Sequence, residues 1–123
     1  MPWQLDNDRP IYVQLVERLK LQIISGQFQP GDKMPSVREL AAEAGVNPNT
    51  MQKAFAELER DGLVQTFRTS GREVTQDEEK LHSIKAEIAK DIIRKFLEQM
   101  RELGFEKEEA AALLEEACKE EKE

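Results

Sequence analysis

A short polar cluster, Asn47-Pro48-Asn49-Thr50, stands at the front of an amphipathic segment that continues through Met51, Gln52 and Lys53. The side-chain amides of Asn49 and Gln52 can each accept and donate in the pattern that matches adenine N6 and N7. Thr50 can meet a phosphate or a thymine methyl group, and Lys53 suits a phosphate. Upstream, Arg38 carries a planar fork that fits a guanine edge or a phosphate oxygen pair. Ser36 could donate to a phosphate, although its position equally suits a helix cap. Asn47 reads first as a cap. Farther on, Arg68 and Arg72 flank a polar turn that contains Gly71, expected to take a positive φ at the turn's tip. For these two arginines a minor-groove or phosphate role stands beside plain solvation.

These residues need elements to hold them. Pro10 precedes Ile11, Leu15, Leu19 and Ile23, spaced four apart, which predicts a helix over about 11–25. Ser36-Val37-Arg38-Glu39 has the form of a capping box, predicting a short helix over 37–44 ended by Gly45. Asn47 caps a third helix whose first position is Pro48 and whose buried side is Met51, Ala54, Phe55 and Leu58. Asp61-Gly62 stops it. Leu63 to Phe67 and Val74-Thr75 are β-prone and bracket the polar turn, as in a small hairpin. Three helices followed by a hairpin is the order of a winged helix-turn-helix, whose second turn-unit helix enters the DNA major groove N-terminus first.

From Gln76-Asp77-Glu78-Glu79 onward the composition changes. Leu81, Ile84, Ile88, Ile92, Phe96, Met100 and Leu103 follow at spacings of 3, 4, 4, 4, 4 and 3, predicting a long helix over 77–103 with one apolar stripe. Gly104 breaks it, and Ala110, Leu113, Leu114 and Ala117 mark a shorter last helix before a charged tail, Lys119 to Glu123, expected to fray. The fold class expected is mostly α with a small β-hairpin. Two domains are expected, a winged helix-turn-helix over 1–76 and a two-helix region over 77–123. A compact head cannot bury the whole stripe, so Leu81 to Leu103, with Leu113 and Leu114, is assigned to dimerisation. Two recognition helices would then read a palindromic site.

Composition narrows the classes. The net charge of −7 is unevenly spread: residues 1–76 carry 9 Lys+Arg and 10 Asp+Glu, and residues 77–123 carry 9 and 15. The acidity therefore lies in the C-terminal third, and the first part has room for a local basic face. No apolar run reaches the roughly 20 residues of a membrane span, and no secretory signal is visible. One cysteine, Cys118, excludes an internal disulfide and is read as a small apolar residue on the last helix; with cysteine used so sparingly, the cytoplasm is the default compartment. His82 stands alone and reads as a surface residue, so no metal or cofactor is expected. No clustered His or Cys, Gly-rich phosphate loop or Ser-His-Asp order suggests an enzyme. Trp3 is expected to pack an N-terminal arm onto the head.

The separated motifs Pro10-Ile11-Tyr12, Pro30-Gly31-Asp32, Pro35-Ser36 with Arg38-Glu39-Leu40-Ala41, Val46-Asn47 through Thr50, and Leu58-Glu59 with Gly62-Leu63 occur here in order. Over about residues 9–75 the chain closely resembles the DNA-binding domain of the GntR family of bacterial transcription regulators. The short helical remainder resembles the YtrA-like branch, in which such a tail mediates dimerisation and whose members often control transporter operons. The resemblance implies a homodimeric repressor that binds double-stranded DNA and places Arg38 at the DNA. Release would require a small-molecule effector or a partner that changes the spacing of the two heads. One stretch departs from the family pattern: where the wing usually reads Gly-x-Gly-x-Phe-Val, this chain has Thr69, Gly71, Glu73 and Val74. The competing expectation is a winged helix used for protein–protein assembly, in which Arg38, Asn49 and Gln52 would be replaceable.

Overall fold

A computed structural model describes residues 3–69 and 71–121. The elements run in the order α1 (Ile11–Ile24), α2 (Val37–Ala44), α3 (Pro48–Arg60), β1 (Val64–Phe67), β2 (Gly71–Val74), α4 (Glu78–Glu102) and α5 (Lys107–Glu120). Ser70, within the expected polar turn, and Lys122 and Glu123 of the expected charged tail lie outside the described residues. Lys119 and Glu120, expected to fray, continue α5.

The chain forms two compact units, residues 1–84 and 85–123. The division falls inside α4, eight residues beyond the composition change at 76, because Leu81 and Ile84 pack against the core of the first unit. These two members of the expected dimerisation stripe are therefore used within the head.

The first unit is built around α3. Met51, Ala54, Phe55 and Leu58 are wholly buried on one side of it, meeting Leu15, Leu19 and Ile23 from α1 and Leu40, Ala41 and Ala44 from α2. Burying a side chain such as Phe55 or Leu58 contributes about 1.5–3 kcal/mol against exposure. Pro10 stands at the N-cap of α1, just before the first turn. The segment leading into α1 is held by the buried Gln14. Its Oε1 accepts the Asp6 N–H at 2.7 Å, and its Nε2 donates to the Asp6 and Arg9 carbonyls at 2.8 and 3.0 Å. Trp3 is buried, with its backbone N–H on the Ala44 carbonyl (3.2 Å) and its indole N–H on Glu43 (3.0 Å). The Arg18 guanidinium lies 4.6 Å from the centre of its ring. The N-terminal arm thus packs on the head as expected.

β1 and β2 pair antiparallel in the register Val64 with Val74 through Phe67 with Gly71. The segment before α2 adds a short third edge that the sequence pattern did not suggest. Lys33 bridges to Glu73, Met34 N–H donates to the Arg72 carbonyl (2.8 Å), and Val74 N–H donates to the Asp32 carbonyl (2.8 Å). Its single bridge leaves no alternating run to recognise.

The second unit has a different character. The Phe105 N–H returns to the Met100 carbonyl (3.0 Å), and Gly104 takes φ +98°, ending α4. Only Ala110 is buried among the described residues of this unit. Ile92 and Leu103 are 63% and 74% exposed, and Ile93, Leu113 and Leu114 are exposed as well, while Ile88, Phe96 and Met100 are half-buried. Among the described residues no helix is long and apolar enough to cross a membrane.

Candidate nucleic-acid interface

The interface begins with caps. Ser36 Oγ accepts the Glu39 N–H (3.0 Å), and Glu39 Oε1 accepts the Ser36 N–H (2.9 Å), closing the capping box at the start of α2. These two hydrogen bonds from Ser36, backbone first and side chain second, hold the Glu39 carboxyl below its ordinary value, with Lys33 adding a smaller charge effect. Ser36 accordingly serves as a cap, and its hydroxyl proton can still point outward.

At the other end of α2, Gly45 adopts φ +78°. A side chain would be strained in this left-handed conformation. The N–H groups of Gly45 and Val46 both bond the Ala41 carbonyl, at 2.9 and 3.0 Å, and turn the chain towards α3. Asn47 Oδ1 then accepts the Asn49 N–H at 2.7 Å, and Pro48 occupies the first helical position. Asn47 is therefore a cap, as its position suggested. Asn49, Gln52 and Lys53 are exposed and Thr50 is half-buried. With the apolar side of α3 fixed in the core, the first two turns of the helix offer these polar groups to the outside.

Arg38 is exposed on α2. It shares an open cleft of about 480 Å³ with Ser36, Gln52, Gly71 and Arg72, so residues from α2, α3 and the hairpin border one space. Lys33 lines the same cleft, and its side chain passes beside Gly71. Sequence reasoning missed Lys33 because only the pairing with Glu73 brings it to the hairpin. Gly71 has φ +78°, as expected. Arg68 is exposed next to the turn.

Two of the candidate DNA-contacting cations are engaged within the head. Lys53 Nζ lies 4.0 Å from the centre of the Tyr12 ring, which steadies its long stem on α1. The Arg72 side chain is mostly covered: its guanidinium lies 5.1 Å from the centre of the Phe55 ring, and its Nε is 3.8 Å from Glu59 Oε1. Many of the head's acids are likewise occupied. Glu43 receives the Trp3 indole, Glu57 pairs with Arg60, Glu17 with Arg9, and Asp61 with Lys20. A near-neutral head can thus present Arg38 and Lys33 at one cleft, where Glu39 is held in the capping box.

The profile of bacterial regulatory proteins of the gntR family matches residues 11–74, from the start of α1 to the end of β2. The chain is 38% identical over 106 residues to the uncharacterised HTH-type transcriptional regulator YhcF of Bacillus subtilis, covering 86% of this chain and 88% of that one. It is 46% identical over 68 residues to the HTH-type transcriptional repressor YtrA of Bacillus subtilis, spanning about half of each protein. Among solved structures, a GntR family transcriptional regulator from Listeria monocytogenes matches with a TM-score of 0.84 and 38% identity over 91% of this chain and 98% of its own. The DNA-binding domain of AraR in complex with operator ORX1 matches 61% of this chain, with a TM-score of 0.53 and 29% identity. A capped helix-turn-helix, a two-stranded wing and a match that runs unbroken through both place the chain in the gntR family of DNA-binding transcription regulators.

Proposed function

We propose that the protein is a homodimeric repressor that binds a palindromic operator overlapping a promoter and excludes polymerase. The observation that carries this reading is the joint exposure of Arg38, Asn49 and Gln52 at the border of α2 and α3, on helices whose other sides are fixed in the core. Asn49 and Gln52 read base edges, with Arg38 on a guanine or a phosphate. Thr50, Lys53, Ser36 and Arg68 contribute phosphate contacts that set position and affinity. Asn47 orients α3 through its cap, and Gly71 shapes the wing.

The second unit supplies the dimer contact, through Ile88, Ile92, Phe96, Met100, Leu103, Leu113 and Leu114. The large aliphatic surface left open in one chain supports this. Two joined heads would present recognition helices about 34 Å apart, matching a two-fold site. The repressor YtrA among its relatives, and the branch the tail resembles, favour repression of a transporter operon in the cytoplasm. Relief would come from a small molecule that favours one spacing of the heads. Within the second unit, an open groove of about 700 Å³ lined by Arg94, Leu97, Arg101 and Phe105 offers it room.

Fluorescence anisotropy tests this reading, using labelled DNA from immediately upstream of the protein's own gene beside a scrambled duplex. Preference for the upstream DNA by about 10³ or more at near-physiological salt is the expected result. If no sequence is enriched from a random duplex pool and no duplex binds even at low salt, the head is instead a protein–protein assembly module.

A further inference from the structure

The carboxylate of Glu59, near the C-terminal end of α3, touches both strands of the wing. Its Oε2 accepts the Thr66 hydroxyl on β1 at 2.9 Å, and its Oε1 lies 3.8 Å from Arg72 Nε on β2. Thr66 and Arg72 are direct partners in the strand register, so one side chain of α3 spans a single rung of the hairpin. Arg72 is held from two further sides. Its guanidinium sits over the wholly buried Phe55 of the same helix, and its carbonyl accepts the Met34 N–H of the third edge. An arginine that grips a phosphate needs its fork turned outward. Here the Nε is buried without a hydrogen-bond partner, and the side chain is only 24% exposed at the edge of the cleft it shares with Arg38.

We propose that Glu59 and Arg72 are positioning residues, forming with Thr66 a clasp that locks the wing to the recognition helix, and that Arg72 acts as a strut rather than as a DNA contact. The proposal rests on the DNA-binding reading above. It gives the departure in the wing sequence a physical consequence. With Thr69 and Glu73 at two of the family's wing positions, this rung joins the backbone bonds of the third edge in orienting the hairpin. Holding a side chain such as Arg68 in its binding geometry before DNA arrives reduces the ordering cost of binding. A single ion pair at 3.8 Å with one partner still 41% exposed contributes little to stability, so the clasp acts on wing geometry more than on folding.

The test uses the full chain, with Glu59→Gln and Arg72→Met. The methionine keeps an apolar stem over Phe55 and removes the cation. In the free protein, heteronuclear NOE values for the Gln65 to Arg68 amides should fall in both variants while those of α1 to α3 hold. For a duplex selected by the wild-type chain, each variant should bind about three- to tenfold more weakly, and the double variant little worse than either, as coupled neighbours require. The salt slope should stay unchanged, because no phosphate contact is lost. A slope reduced by about one in Arg72→Met, with tighter binding by Glu59→Gln, would make Arg72 a phosphate contact and overturn the clasp. Unchanged wing NOE values would overturn it equally. If the wild-type chain selects no duplex, the DNA reading fails on its own, and the NOE result still decides the clasp.

Discussion

The two units solve the problem of apolar surface in opposite ways. In the first, a small head closes on itself: Leu15, Leu19, Met51, Phe55 and Leu58 are fully enclosed, and the polar residues of α3 are left outside for another purpose. In the second, α4 and α5 keep Ile92, Leu103, Leu113 and Leu114 in the open. The head closes a core within one chain, and although Leu21 and Phe67 are also exposed, what α3 leaves outside is polar. The tail leaves large apolar side chains open among its charged ones. That contrast supports the proposal that the first unit reads and the second assembles.

The largest expected effect lies in the head. Phe55→Ala should destabilise it by about 3–5 kcal/mol, the range for deleting a buried aromatic side chain. A denaturant titration followed by circular dichroism would measure this. A loss below 1 kcal/mol would mean that the head is loosely packed. In the tail, Leu103→Asp would remove roughly 1.5–3 kcal/mol of burial from the proposed dimer contact. It should raise the dimer dissociation constant at least tenfold, moving sedimentation towards a single chain. Leu81→Asp should behave as a head mutation instead, lowering the melting temperature, because Leu81 packs on the first core. If Leu81→Asp dissociated the protein without destabilising the head, the division between the units would be misplaced.

Smaller effects refine the head itself. Arg38→Ala should weaken specific binding by about 1–3 kcal/mol if the fork reads a guanine. Unchanged affinity in a titration would remove Arg38 from the interface. The smallest effect concerns Glu39. Its carboxyl is held below the ordinary value in the folded chain, so its stabilisation is complete above the unfolded carboxylate pKa. That stabilisation is lost as pH falls through the lower folded value. Glu39→Gln should therefore lower stability slightly at neutral pH, change it little below the folded pKa, and so flatten the acid limb of the stability curve. An identical acid limb in both proteins would contradict the role of the capping box.

The sequence revealed most where structure is local. The helix over 37–44 appears with those bounds because Ser36, Glu39 and Gly45 act within a few residues of one another. The start of α3 was legible from Asn47 and Pro48 for the same reason. What escaped depends on distant chain meeting. The third edge of the wing needs residues 32–34 beside 72–74, and the covering of Arg72 needs Phe55 and Glu59 beneath it. Nothing in the spacing of the apolar stripe separates Leu81 and Ile84, spent on the head, from Ile92 and Leu103, left open.

Sedimentation velocity on the full chain mixed with a duplex that it has selected measures both halves of the account at once. The account predicts two chains per duplex for the wild-type protein. Leu103→Asp should need at least tenfold more protein to form that complex. A one-to-one complex of equal affinity in both proteins would contradict the assignment of assembly to the tail, and no complex at low salt would contradict the assignment of reading to the head.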